Sequence, residues 1–162
     1  MKKKRYALIS VFDKKKLKLI CEKFIKFNIN IISTDSTAEQ IKKLGFSCKL
    51  VSDLTKFKEI LDGRVKTLHP KIHASLLYNR KIKSHFRTFS QINFPTIDFV
   101  IVNLYPFEKI IRTKKNAEKC IEMIDIGGPA LLRSAAKNFE FITTVSSIND
   151  YEKFIKNLES NK

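Results

Sequence analysis

The sequence predicts an α/β fold, a mainly parallel sheet covered by helices on both faces. Two observations predict it. Short apolar runs rich in β-branched residues recur along the chain, and stretches of helical period separate them. Strands that alternate with helices imply right-handed βαβ units and a parallel sheet. No internal repeat, Gly/Ser linker or low-complexity block interrupts the pattern, and 162 residues suit one domain over 1–162.

Taken in order, residues 6–11 read as the first strand. Residues 14–27 form an amphipathic helix with Leu17, Ile20, Cys21, Phe24 and Phe27 on one side. Residues 29–33 are the second strand, and 37–44 a short helix stopped by Gly45. Residues 47–51 give a third strand, 73–77 and 98–104 two more. Residues 115–123 and 129–138 are helices, 141–145 a late strand and 150–158 a closing helix.

Composition excludes several classes. With 43% hydrophobic residues the chain is not disordered, despite 30% charged ones. No apolar stretch approaches the roughly 20 residues of a membrane span. The basic start, Met1 to Arg5, precedes an apolar run too short for a signal peptide and cut off by Asp13, so a cytoplasmic protein without a membrane partner is expected. Cys21, Cys48 and Cys120 lack CxxC spacing and read as small buried or half-buried residues. His69, His73 and His85 have no matching acid-rich ligand set, and Pro70 separates the first two, so no metal site is expected. The formal charge of +16 suits anionic partners, but the lysines are scattered along the whole chain. A solvated surface with one anion site is the favoured reading over a nucleic-acid patch.

Chemistry concentrates in three runs framed by Gly and Pro: Asp62-Gly-Arg-Val-Lys-Thr-Leu-His-Pro70, Asn103-Leu-Tyr-Pro-Phe107 and Asp125-Ile-Gly-Gly-Pro129. Ligands of an open parallel sheet bind outside the carboxyl ends of its strands. Ser10, Ser33, Thr34 and Asn103 end strands and therefore point to one edge, with Lys14, Thr37 and Tyr105 just beyond. The segment Ser33-Thr34-Asp35-Ser36-Thr37 reads either as a capping box between Ser36 and Glu39 or as a phosphate cradle at a helix N-terminus. Gly127-Gly128 reads as the approach to a helix starting at Pro129, with exposed N–H groups able to hold an oxyanion or simply to start the helix. Arg133 and Lys137 lie along one face of that helix. Arg64 and Lys66 flank Val65, so in an extended segment both face one side. Tyr105, before Pro106, is held extended and is either a directed phenol or a core tyrosine.

On these residues the sequence resembles the IMP cyclohydrolase domain of the bifunctional purine-biosynthesis family that also carries a formyltransferase. The matching pieces are Ala7 to Lys14, Ser33-Thr34, Asp62 to Pro70, Val102 to Phe107, Asp125 to Pro129 and Arg133 to Asn138, in family order. The resemblance implies a methylglyoxal-synthase-like three-layer sandwich and ring closure of 5-formamidoimidazole-4-carboxamide ribonucleotide to IMP and water, with no cofactor. It implies that Lys66 polarises the formyl oxygen while Tyr105, Asp125 and Lys137 serve proton transfer and carboxamide positioning. Asn103, Ile126 and the Gly127-Gly128 backbone would hold the base. Ser10, Lys14, Ser33, Thr34, Thr37, Arg64 and Thr67 would hold phosphate or ribose.

Two departures from the family accompany the match. Asp35-Ser36 stands where two glycines are usual, and the sequence given ends near Lys162, before the formyltransferase and before the last cyclohydrolase segment. The sequence given is then either a piece of a longer chain or a short version; cyclohydrolase activity without formyl transfer is the expectation, with a purine nucleotide as substrate. Candidate partners are a second copy in a homodimer and a separate formyltransferase. The competing reading is a non-catalytic purine-nucleotide-binding or regulatory domain of the same fold.

Overall fold

The computed structural model describes residues 4–113 and 116–160. Among them, β1 (Arg5–Val11), β2 (Ile29–Ser33), β3 (Lys49–Leu50), β4 (Ile97–Asn103) and β5 (Thr143–Val145) form one sheet in the order β3-β2-β1-β4-β5. Every neighbouring pair is parallel. The helices are α1 (Leu17–Lys26), α2 (Asp35–Lys43), α3 (Val51–Thr55), α4 (Pro70–Leu77), α5 (Lys83–Ile92), α6 (Phe107–Thr113), α7 (Ala117–Ile121), α8 (Gly127–Lys137) and α9 (Tyr151–Ser160). Among the described residues no helix is long and apolar enough to cross a membrane.

Strand alternation divides the core into two layers. Ala7, Ile9, Val11, Phe99 and Ile101 face one side of the sheet, against Leu17, Ile20 and Phe24 of α1, Ile41 of α2 and Tyr151 and Phe154 of α9. Leu8, Val100 and Val102 face the other, against Ile72 and Leu76 of α4, Phe89 of α5 and Leu131 and Ala135 of α8. Helices therefore cover both faces, which is why β1 and β4 read as unbroken apolar runs. Each fully buried Ile or Phe in these layers is worth about 2 kcal/mol of transfer free energy. Cys21 lies inside the first layer, where burial, then the charges of Cys48 and Glu22, push its thiol up to about 12.

The sheet and both helical layers match the expected fold, and several elements differ from expectation. Residues 73–77 are helical, not a strand: α4 starts at Pro70, a residue suited to the first turn, and the His69 ring accepts a hydrogen bond from the Lys71 N–H at 3.2 Å. Buried Ile72, Ser75 and Leu76 then follow at helical spacing. Pro70 therefore starts the helix that carries His73 instead of breaking one. The strand expected at 47–51 is cut to Lys49–Leu50 because Val51 opens α3. The late strand covers only Thr143–Val145. The helix expected from Lys115 begins outside the described residues; α7 is capped by the Asn116 side chain, which accepts from the Lys119 N–H at 3.2 Å. Gly45, at φ +87°, follows the end of α2 as expected.

Candidate functional site

The chain runs outward from β1 to β2 and β3, then crosses back to β4 on the other side of β1. That reversal makes the carboxyl ends of β1 and β4 the natural place for a ligand. A cavity of about 440 Å³ opens there.

Its first wall comes from the ends of β1 and β2. Ser10 and Thr34 join through their hydroxyls at 3.2 Å. The Thr37 hydroxyl bridges the backbone of Val11, accepting from its N–H and donating to its C=O, both at 3.2 Å. Lys14 Nζ donates to the Phe12 carbonyl at 3.4 Å. All four residues line the cavity. Ser33 does not: fully buried, it donates to the Ile9 carbonyl at 2.8 Å. Of the two readings of this segment, the capping box between Ser36 and Glu39 is not formed, because Thr34 is the N-cap and α2 already starts at Asp35.

The second wall is the run from Asp62 to Leu68. Leu61 and Asp62 both hold left-handed backbone, at φ 54° and 52°, and Gly63 follows at φ +89°. Such a sequence of positive φ is steeply unfavourable for Leu. A backbone bridge between Ile60 and Val65 closes the turn. Arg64 and Lys66 both line the cavity but find different partners. The Arg64 guanidinium grips the Glu122 carboxylate at the end of α7, with Nε to Oε2 at 3.3 Å. Lys66 Nζ lies 2.5 Å from Glu59 Oε2 and 3.6 Å from Asp35 Oδ2. Burial works to lower the Lys66 ammonium, and the hydrogen bond and charge of Glu59, with those of Asp35, outweigh it and hold it above the ordinary lysine value.

The third wall follows β4 and leads into α8. Asn103 spends both ends of its amide on Asp13, accepting from its N–H at 2.9 Å and donating to its C=O at 2.8 Å. It thereby pins the loop after β1, and it also lines the cavity. Tyr105 packs edge-on against Phe12 with ring centroids 4.9 Å apart and is 40% exposed, so it is a rim residue and not a core tyrosine. α8 starts at Gly127, two residues before the expected Pro129. Its first turn is held by Asp125, whose Oδ1 accepts from the Gly128 N–H at 2.8 Å. That amide is thus engaged, contrary to the expected row of open N–H groups. Asp125, Ile126, Gly127, Gly128 and Thr67 all line the cavity. Lys137, the last residue of α8, is exposed and does not; ten residues beyond Gly127, its backbone is roughly 15 Å along the helix.

The structure therefore gathers Ser10, Lys14, Thr34, Thr37, Arg64, Lys66, Thr67, Asn103, Tyr105, Asp125 and the 126–128 run, and leaves Ser33 and Lys137 outside the wall. Sequence reasoning missed Glu59 and Glu122, the partners of the two loop cations. Both acids are invisible to motif reading because their pairing is decided by tertiary contact. In a chain of formal charge +16, the cavity is locally balanced: Lys14, Arg64 and Lys66 face Asp62, Glu122 and Asp125. Hydroxyls beside an ammonium can hold a phosphate, while a cation, a phenol and a carboxylate on facing walls can stabilise a developing oxyanion and move protons.

Comparison with known proteins shows what the chain as a whole is similar to. A family model described as MGS-like domain matches residues 16–130. The bifunctional purine biosynthesis protein PurH of Clostridium perfringens is 45% identical over 159 residues, 98% of this chain and 32% of the relative. PurH of Fusobacterium nucleatum is 46% identical over 149 residues, 92% of this chain and 30% of the relative. PurH of Dinoroseobacter shibae is 42% identical over 156 residues, 96% and 30% respectively. The chain spans about a third of the length of these curated relatives. Among solved structures, the crystal structure of ForH superimposes with a TM-score of 0.81 at 28% identity, covering 98% of this chain and 80% of that one.

Proposed function

The chain belongs to the MGS-like domain family, and on that premise we propose that its cavity is the site of an IMP cyclohydrolase. The reaction is closure of the second purine ring. The carboxamide nitrogen of 5-formamidoimidazole-4-carboxamide ribonucleotide attacks the formyl carbon, one C–N bond forms, and the formyl oxygen leaves as water to give IMP. The nucleophile is weak, but the substrate itself supplies proximity. The site has only to stabilise charge and move protons.

The observation that carries this reading is the meeting of Lys66, Tyr105 and Asp125 on one cavity whose other wall is the Ser10, Lys14, Thr34 and Thr37 cradle. In that assignment the Lys66 cation stands over the formyl oxygen, and Tyr105 and Asp125 handle the carboxamide protons. The cradle and Thr67 take the phosphate and ribose; Asn103 and residues 126–128 take the base. Lys137 enters this scheme only if it reaches the cavity from the far end of α8.

An absorbance assay for IMP formation from the formamido nucleotide tests it. Wild type should turn over, and Lys66→Ala should lose about 100-fold or more in kcat, as expected for removal of a donor to a developing oxyanion. Wild-type protein that binds IMP yet gives no rate above background would instead establish a non-catalytic nucleotide-binding domain.

A further inference from the structure

Lys66 is shared between two carboxylates from separate segments. Glu59 precedes the left-handed turn, while Asp35 is the first residue of α2. Both carboxylates lie against the one ammonium, Glu59 Oε2 at 2.5 Å and Asp35 Oδ2 at 3.6 Å from Lys66 Nζ. Two carboxylates this close repel unless a cation lies between them, and Lys66 is that cation. The trio has a formal charge of −1 beside a cavity that would receive a phosphate. Asp35 moreover occupies the first turn of α2, where helix dipole and N–H groups favour an anion. Its neighbours Thr34, Ser36 and Thr37 line the cavity; Asp35 itself turns to Lys66.

We propose that Asp35 and Glu59 are positioning residues that fix the Lys66 ammonium in the cavity wall, and that Asp35 in doing so weakens the hold on a nucleotide 5′-phosphate. Asp35 is then the residue that sets phosphate affinity in this chain. The inference rests on reading the cavity as a nucleotide site. The physical basis is competition for one place: the carboxylate takes the favourable field at the start of α2 and repels a dianion arriving there. In exchange, Lys66 gains a second anchor. Its protonation is held against burial by both acids. The other charged or titratable groups facing the cavity are Asp62 and Arg64 of the same turn, Lys14 after β1, Tyr105 after β4, Glu122 at the end of α7 and Asp125 before α8. Glu122 is engaged with Arg64, and Asp125 with the Gly128 amide.

The test uses the full chain with Asp35→Asn, Glu59→Gln and the double variant, all isosteric so that folding is preserved. Calorimetry measures binding of IMP and of inosine, which lacks the phosphate. Asp35→Asn should tighten IMP by about tenfold and leave inosine unchanged, since only a charged ligand feels the lost carboxylate. With burial of Lys66 then less opposed, the alkaline limb of kcat in the double variant should fall below the ordinary lysine value of about 10.4. An NMR titration of the Lys66 Cε resonance should move the same way, and this readout does not depend on turnover. A Lys66 titration unmoved in the double variant, or equal effects of Asp35→Asn on IMP and inosine, would overturn the clamp. Wild type that neither closes the ring nor binds IMP would overturn the functional reading instead.

Discussion

Gly128 shows how much of the site depends on one missing side chain. A Cβ at this position would lie 2.5 Å from Asp125 Oδ2 and 2.5 Å from Leu104 Cδ2. The Gly128 amide is also the donor that holds Asp125 Oδ1. Gly128→Ala therefore pushes the carboxylate off the partner that positions it. Overpacking of this kind costs about 1–3 kcal/mol, and for a domain of this size each kcal/mol moves the melting temperature by about 2–4 °C. We expect Gly128→Ala to melt several degrees lower and to lose IMP binding, measured by calorimetry on the folded protein. Gly127→Ala meets a milder obstacle, Thr67 Oγ1 at 2.7 Å. A hydroxyl can rotate away, so its effect should be the smaller of the two. Wild-type melting and binding in Gly128→Ala would show that the carboxylate is not held in this way.

At the scale of elements, legibility followed burial. β1 and β4 were readable from the apolar runs 7–9 and 99–102, buried on both faces of the sheet, and β2 from Ile29, Ile31 and Ile32, although Asn30 between them is exposed. α4 was misread because a run of eight residues with adjacent apolar positions fits either period, and only Pro70 and the His69 cap decide for helix. α5 went unread although Phe86, Phe89 and Ile92 recur at helical spacing, a stripe of which Phe89 alone is buried. In the site, strand-end logic found Ser10, Thr34 and Asn103, yet it cannot tell a hydroxyl facing the ligand from one bonded inward, as Ser33 is. Nor does it reveal a side chain that ties two elements together. Asn138, just past α8, donates to the carbonyls of Leu76 at 2.9 Å and Tyr78 at 3.0 Å, closing the end of α4. The residue is buried. Asn138→Leu would leave both carbonyls without this donor, and an unsatisfied buried group costs about 1–3 kcal/mol. A urea titration should show a lower midpoint at unchanged slope, with faster amide exchange at the end of α4; an unchanged midpoint would mean that the α4–α8 junction does not depend on this amide.

For the whole molecule the governing quantity is the imbalance of 32 basic against 16 acidic residues. Ion pairs such as Lys16–Glu152 at 2.7 Å and Lys23–Glu159 at 2.5 Å tie α1 and the residue before it to α9. Surface pairs of this kind are worth at most about 1 kcal/mol each. The excess cations, by contrast, repel one another across a domain whose radius of gyration is about 15 Å. Salt separates the two effects by distance. The Debye length is about 30 Å at 0.01 M and about 8 Å at 0.15 M, so added salt first removes long-range repulsion and only later touches pairs in contact. The melting temperature should therefore rise as NaCl increases from about 0.01 to 0.3 M, read by circular dichroism. Ligand capture should respond in the opposite sense. The cavity wall is locally balanced, so attraction of a nucleotide dianion comes mainly from the field of the whole surface, and that field is what salt screens. Stopped-flow measurement of IMP association should give an on-rate that falls over the same salt range in which the melting temperature climbs. If both fell together, contact ion pairs would dominate stability and the excess positive charge would have no measurable part in holding the fold open to strain.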